Sequence, residues 1–295
     1  MKAVILTPTL VPYDAVSNDV RLQHKVLNEI LPSYIYTDSY KEDGYSSKYL
    51  ISKEDLANLT KEDIIIYHHS VYWEFADKFL FNTKAKIFIK YHNITPPGFF
   101  SPYSRVYENV CKMGYDQNKR LKTLNAVFMA DSKYNALEFP GAKVVPVFTI
   151  LEDFNGEIDA SFAEKILKND LNILFVGRFA PNKGHRHLVK TLYFLKEYGL
   201  NPTLHIAGGI DRELISYVDE IKRLIDFYSL SQNVIIYDKL EFKKLLTLYK
   251  TSDMFLLMSE HEGFCVPVLE SQKSSLPLVA VDRAAVKETA GENQL

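Results

Sequence analysis

The sequence predicts an α/β protein made of two doubly wound, Rossmann-like domains facing a central cleft. Short apolar runs alternate with amphipathic stretches of helical spacing along the whole chain, which is the rhythm of βα units and not of hairpins. The 295 residues exceed what a single hydrophobic core organises, so about two domains are expected. Near the middle, the polar stretch 151–159, with Asp153, Asn155 and Gly156, interrupts the rhythm before it restarts. The expected division is residues 1–150, a linker at 151–160, and residues 161–295.

In the first half the expected strands are residues 3–6, 34–36, 64–67, 87–91, 126–129 and 144–147. Asn18 is the expected cap of a helix whose apolar positions Val20, Leu27 and Ile30 follow helical spacing. A long helix is expected over 101–124, entered after the Pro96-Pro97-Gly98 break. In the second half the expected strands are 173–176, 203–206, 234–236, 254–257 and 278–281, with helices over about 186–198, 212–228, 242–250 and 268–273. Domains of this kind bind ligands where the C-terminal ends of their strands meet a cleft.

Composition narrows the function class. The mean hydropathy of −0.12 and 24% charged residues argue against a disordered chain and against a membrane-embedded one. The net charge of −2 gives no general attraction to nucleic acid. The first half carries 18 Lys and Arg against 16 Asp and Glu, the second 17 against 21. Lys112, Lys119, Arg120, Lys122, Lys133 and Lys143 read first as a solvated face, and otherwise as a contact for an acidic lipid surface or phosphorylated acceptor. Cys111 and Cys265 have no metal-ligand spacing and are too few for a disulfide framework, which fits a reducing cytoplasm. The apolar N-terminal run is cut by Thr7 and Pro8, too short for a signal or spanning segment, so membrane contact is expected to be peripheral.

Two stretches carry the chemistry. In Glu262–Glu270, EGFCVPVLE, two carboxylates lie eight residues apart around a proline suited to a first helical position. A helix starting near Pro267 puts Glu270 in its first turn and Glu262 in the preceding loop, beside backbone N–H groups that suit an anion. An ionised Glu only accepts hydrogen bonds, so both carboxylates suit the hydroxyls of a sugar. In NILFVGRFAPNKGH, residues 172–185, a strand ends at Val176, Gly177 permits the turn, and Arg178 and Lys183 follow in a loop shaped by Pro181 and Gly184. Two cations there suit a diphosphate. No Walker or dinucleotide glycine pattern occurs, and Gly208-Gly209 reads either as a close backbone approach to a base or ribose or as a tight turn.

The histidines differ in setting. His92 stands at a strand end before Asn93 and a Pro-rich loop, at an edge expected to face the cleft, which favours a functional role. His68 and His69 read as structural or acceptor-lining. His185, His187 and His261 lack the carboxylate spacing of a metal site, and no metal is expected.

With these residues in place, GRFAPNKG, LHIAGG and LEFKKLLTLYKTSDMFLLMSEHEGFCVPVLES together resemble the nucleotide-sugar-binding half of family 4 retaining glycosyltransferases of the GT-B fold. The resemblance covers essentially residues 171–290; the first half is similar more loosely, through YHNITPP and ADSKYN. It implies a hexosyl transfer from a UDP- or GDP-linked sugar, with no further cofactor and no metal. The acceptor would be a glycan or lipid-linked hydroxyl, in cell-surface polysaccharide synthesis at the cytoplasmic side of the inner membrane. Arg178 and Lys183 would bind the diphosphate, Glu262 the transferred sugar and Glu270 the ribose. Gly208 and the backbone around Gly263, Phe264, Cys265 and Val266 would line the donor, and His92 would reach toward its sugar.

The chain departs from the family in lacking glycines at residues 12–19, at Cys265, at Ser275 and in 282–288, changes expected to alter substrate fit. The family also continues beyond this length, so the second domain is expected to be incomplete and the chain a piece of a longer polypeptide. Rival expectations are a non-catalytic nucleotide-sugar-binding module and an epimerase or phosphorylase of the same fold. An NAD-dependent enzyme is disfavoured by the missing glycine fingerprint.

Overall fold

The apolar runs of the first half pair as one parallel sheet in the computed structural model, which describes residues 1–12 and 14–291. Tyr13 of the first loop and the last four residues of the expected second domain lie outside the described residues. In chain order the elements are β1 (Ala3–Leu6), β2 (Thr9–Leu10), α1 (Ala15–Asn28), β3 (Ser33–Tyr36), β4 (Ser39–Tyr40), α2 (Lys53–Ala57) and β5 (Ile64–His69). Then follow α3 (Glu74–Leu80), β6 (Lys86–Tyr91), α4 (Arg105–Leu121), β7 (Ala126–Ala130), α5 (Lys133–Ala136) and β8 (Lys143–Val144). The strands run β3-β1-β5-β6-β7-β8, every pair parallel, with β2 and β4 as a separate short pair. All four residues of β1 are inaccessible, as a parallel strand covered on both faces should be.

The second half begins with α6 (Ala160–Ile166) and continues through β9 (Leu171–Val176), α7 (His185–Glu197), β10 (Pro202–Ala207), α8 (Ile215–Phe227) and β11 (Val234–Tyr237). It ends with α9 (Phe242–Thr251), β12 (Met254–Leu257), α10 (Val266–Lys273), β13 (Leu278–Ala280) and α11 (Val286–Ala290). Its sheet is parallel, ordered β11-β10-β9-β12-β13. The core packs Leu174 and Phe175 of β9, Leu204 and Ile206 of β10 and Phe255 of β12 against Leu188 and Leu192 of α7 and Val218 and Ile221 of α8. Each such side chain contributes about 1.5–3 kcal/mol of burial.

The chain divides into two compact units, Met1–Pro96 with Asn109–Thr149, and Pro97–Glu108 with Ile150–Leu295. The Pro-rich turn and the start of α4 thus group with the second half. Tyr103 donates to Glu220 at 2.9 Å and Tyr107 to Asp211 at 2.5 Å, which ties residues 97–108 to α8 and the turn before it. The polar stretch after residue 150 is packed: Phe154 lies in the second core, and Asp159 caps α6 through the Phe162 N–H.

Several expected boundaries shift for local reasons. Asp14, not Asn18, caps α1, because its carboxylate accepts from the Ser17 N–H while Asn18 already donates to the Asp14 carbonyl inside the helix. The helix expected over 101–124 is Arg105–Leu121. The strand expected at 144–147 shrinks to Lys143–Val144, since Pro146 has no N–H to extend the ladder. The basic residues near α4 form a solvated face laced by ion pairs, Lys119–Asp116, Arg120–Asp77 and Lys122–Glu138.

The ends of α7, α8 and α10 share one device. The residue after each C-cap has φ of 84° at Gly199, 53° at Ser229 and 55° at Ser275. The following N–H reaches back to the carbonyls of Leu195, Ile225 and Ser271 respectively. This is the Schellman turn, whose left-handed position favours glycine.

Candidate functional site

In the second sheet β9 leads to β10 on one side, while β12 lies on its other side and leads to β13. The loops after β9 and β12 therefore diverge at the switch point of the sheet, where open α/β sheets hold ligands. The loop after β9 carries Arg178 and Lys183; the loop after β12 carries Glu262.

Four contacts press these loops together. The Glu260 N–H donates to the Asn182 carbonyl at 2.9 Å, and Asn182 Nδ2 donates to the His261 carbonyl at 3.1 Å. Gly184 is left-handed at φ 70°, and a Cβ there would stand 1.9 Å from the Met258 carbonyl oxygen, so the chain at this point accepts only glycine. Lys183 Nζ then donates to both oxygens of Glu262, at 2.7 and 2.8 Å. Glu262 is 7% exposed, and its carbonyl accepts from Ala285 N–H ahead of α11. Arg178 is exposed on the same loop, and its charge helps hold the Asp211 carboxyl below its ordinary value, after the larger effect of the Tyr107 hydroxyl. His261 is pushed down to about 4 by burial, so it is neutral here.

Helix α10 starts at Val266 with Pro267 second, one residue earlier than the proline suggested. Glu270 is consequently its fifth residue, one position further in than the first-turn place expected for it. Its carboxylate is held by Tyr249 of α9, whose hydroxyl donates to Oε2 at 2.6 Å. Burial raises the Glu270 carboxyl above its ordinary value, partly offset by the Tyr249 bond.

Gly208 is required as glycine by a contact inside the sheet. A Cβ there would lie 1.9 Å from the Gly177 carbonyl oxygen, so the close approach is between the ends of β10 and β9. Three positions lacking family glycines are left-handed: Cys265, Ser275 and Ala284 have φ of 77°, 55° and 52°. Cys265 is also the buried residue immediately before α10, and burial pushes its thiol well up. Gly263, Phe264 and Val266 flank it at intermediate exposure.

His92 belongs to the first unit and is buried there. Its Nδ1 lies 2.7 Å from Asp131 Oδ2, and its Nε2 lies 2.8 Å from His68 Nδ1. Asp19, His68 and His92 bring three potential ligand atoms within 4.8 Å of one another among the described residues. That corner already holds a cation, because Lys90 Nζ stands 2.6 Å from Asp19 Oδ2. His185, stacked on Phe179, is held neutral by burial at about 3.

Residues 157–294 match the family of glycosyl transferases group 1. This part of the chain is similar to the group 1 glycosyltransferases. A mannosylfructose-phosphate synthase of Agrobacterium fabrum is 27% identical over 110 residues, 36% of this chain and 24% of the relative. The matched region spans 24–32% of the length of the first curated relatives. Among solved structures, sucrose-phosphate synthase of Thermosynechococcus elongatus superposes with TM-score 0.72 at 15% identity, covering 98% of this chain and 83% of that one. HepE of Anabaena, in complex with UDP and glucose, gives 0.70 at 17%, covering 98% and 82%. The chain thus has the fold of the GT-B glycosyltransferases expected from its motifs.

Two residues that the motifs do not single out, Asn182 and Tyr249, hold His261 and Glu270 here. Asn182 inside the expected loop carried a signal, being a buried-capable amide between proline and lysine. Tyr249 carried none, since nothing marks which tyrosine will meet Glu270 across two helices.

Proposed function

We propose that this chain transfers a sugar, with retained anomeric configuration, from a UDP- or GDP-linked donor to a hydroxyl of a glycan or lipid-linked acceptor. The setting is cell-surface polysaccharide synthesis at the cytoplasmic membrane face. The observation that carries the reading is Lys183 beside Glu262 at the switch point of a sheet whose residues match the glycosyl transferases group 1 model. A cation for phosphate and an acceptor-only carboxylate for hydroxyls, side by side, suit a ligand in which sugar and phosphate adjoin.

Arg178 and Lys183 hold the diphosphate and offset the charge it gains on leaving, which is the role a metal ion would otherwise fill. Glu262 accepts from the sugar hydroxyls, and Glu270, held by Tyr249, accepts from the ribose. The backbone at Gly263, Phe264, Cys265 and Val266 lines the donor. Gly208 serves at one remove, by shaping the end of β10. His92 is given a donor-sugar role by the family resemblance. In the step itself the bond from the anomeric carbon to the phosphate oxygen breaks and the bond to the acceptor oxygen forms on the same face. The acceptor proton passes to the departing phosphate oxygen, so the protein supplies position and charge.

The test is product analysis by NMR with UDP- and GDP-sugars. Retained configuration at the anomeric carbon is the expected result. Inverted product, donor epimerised without acceptor, or turnover that requires inorganic phosphate would each overturn the reading.

A further inference from the structure

The buried cluster around His92 contains more than one histidine needs. Asp19 of α1, His68 of β5, Lys90 of β6, His92 just after β6 and Asp131 just after β7 are all 8% exposed or less. Gln23, one turn on from Asp19, places Oε1 2.7 Å from His68 Nε2. Asp19 Oδ1 accepts from the Phe148 N–H at 2.8 Å. Lys90 Nζ donates to the Pro146 carbonyl at 3.1 Å and lies 2.6 Å from Asp19 Oδ2 and 3.9 Å from Asp131 Oδ1.

Hydrogen-bond direction can be followed through this chain. A carbonyl oxygen only accepts, so His68 Nε2 carries a proton and donates to Gln23. His68 is held neutral, its basicity pulled well down first by burial and then by the positive charges nearby, so its Nδ1 has only a lone pair. His92 Nε2 must then donate to His68 Nδ1. A carboxylate likewise only accepts, so His92 Nδ1 donates to Asp131.

Charge balance agrees with this, with Asp19 Oδ2 also 3.7 Å from His92 Nε2 and 3.5 Å from the His68 Nδ1 that burial keeps unprotonated. Two buried carboxylates, Asp19 and Asp131, face a single ammonium, Lys90. A second cation is needed to avoid an uncompensated buried charge, and the ring 2.7 Å from Asp131 is His92. From this geometry we infer that Gln23 and His68 are positioning residues that fix His92 as a double donor, a buried imidazolium.

The inference rests on the reading of His92 given above and sharpens it. A ring donating from both nitrogens has no lone pair. His92 therefore acts in transfer as a fixed positive charge and not as a proton acceptor, leaving the acceptor proton to the phosphate oxygen. Replacing the Gln23 carbonyl with an apolar group of similar size frees His68 to protonate Nδ1 instead. The direction of the chain then reverses, and His92 Nε2 becomes an acceptor.

Ring-nitrogen NMR of the protein as it stands tests this without any turnover. At neutral pH both nitrogens of His92 should show protonated-type shifts, and His68 one protonated and one lone-pair type. In Gln23→Met, His92 should gain one lone-pair nitrogen, and in Gln23→Glu both protonated shifts should remain. In a transfer assay Gln23→Met should lower kcat about tenfold with donor KM unchanged. A lone-pair nitrogen on wild-type His92 would overturn the inference even if Gln23→Met fails to fold. So would one equivalent of a transition metal bound to the wild-type protein and lost in His68→Ala. Protonated shifts in a protein that transfers no sugar would instead leave the charge assignment standing and remove the proposed function.

Discussion

Lys183 Nζ bonds both oxygens of the Glu262 carboxylate across 79 residues of chain, joining the loop after β9 to the loop after β12. The pair is partly to largely buried, with side chains 19% and 7% exposed. Removing one partner leaves the other unmatched at a site that water reaches poorly. Lys183→Met and Glu262→Gln should each destabilise the protein, and the double variant should lose less than the sum. A coupling of about 1–3 kcal/mol is expected in denaturant unfolding. Strict additivity would show that the two groups do not act as a pair.

Turnover should depend on both cations of this loop. Arg178→Ala and Lys183→Ala should each lower the transfer rate by about 10²-fold, as loss of a transition-state charge partner does. Near-normal rates in both would remove the assignment of these residues.

Schellman turns offer a separate test in which no ligand takes part. Ser229→Gly and Ser275→Gly should each stabilise by about 0.5–1 kcal/mol, because both positions are left-handed. Gly199→Ala should destabilise by about 1 kcal/mol. Its Cβ would meet no atom within 4 Å, so any loss there comes from φ alone. Matched melting curves decide the sign for each.

Strand interiors were legible in the sequence because parallel strands buried on both faces leave continuous apolar runs; Met254–Leu257 is found where its run stands. The short helices α2, α3, α5 and α6 were not, since one or two turns carry too little periodicity to be read. The start of α1 was ambiguous because Asp14 and Asn18 are both good caps, and only backbone geometry chooses between them. At the site, Arg178, Lys183, Glu262 and Glu270 could be named from residue type and spacing. The pairing of Lys183 with Glu262 could not, because it follows from β9 lying beside β12. The missing glycines at Cys265, Ser275 and Ala284 were visible as letters, but the positive φ that strains the backbone there was not.

Acid stability should follow the buried histidines. In the second unit His205 accepts from or donates to Tyr237 and Asn172, and burial holds it down at about 4. Its folded value is below its unfolded value, so the unfolded chain binds the extra proton. The stability His205 contributes is full above about pH 6.5 and is lost as pH falls toward about 4, roughly 2 kcal/mol by pH 5. Unfolding monitored between these limits should steepen less with acid in His205→Gln than in the native chain. Parallel pH profiles for the two proteins would contradict this.

The central claim, a nucleotide-sugar site at the β9/β12 switch point, is tested most directly by thermal shift against UDP- and GDP-sugars. One donor class should stabilise the protein saturably, by about 2.7 kcal/mol at 100 times its Kd. The shift should be lost in Lys183→Ala and in Glu270→Ala. No response to any nucleotide sugar, or a response that both variants retain in full, would contradict the account.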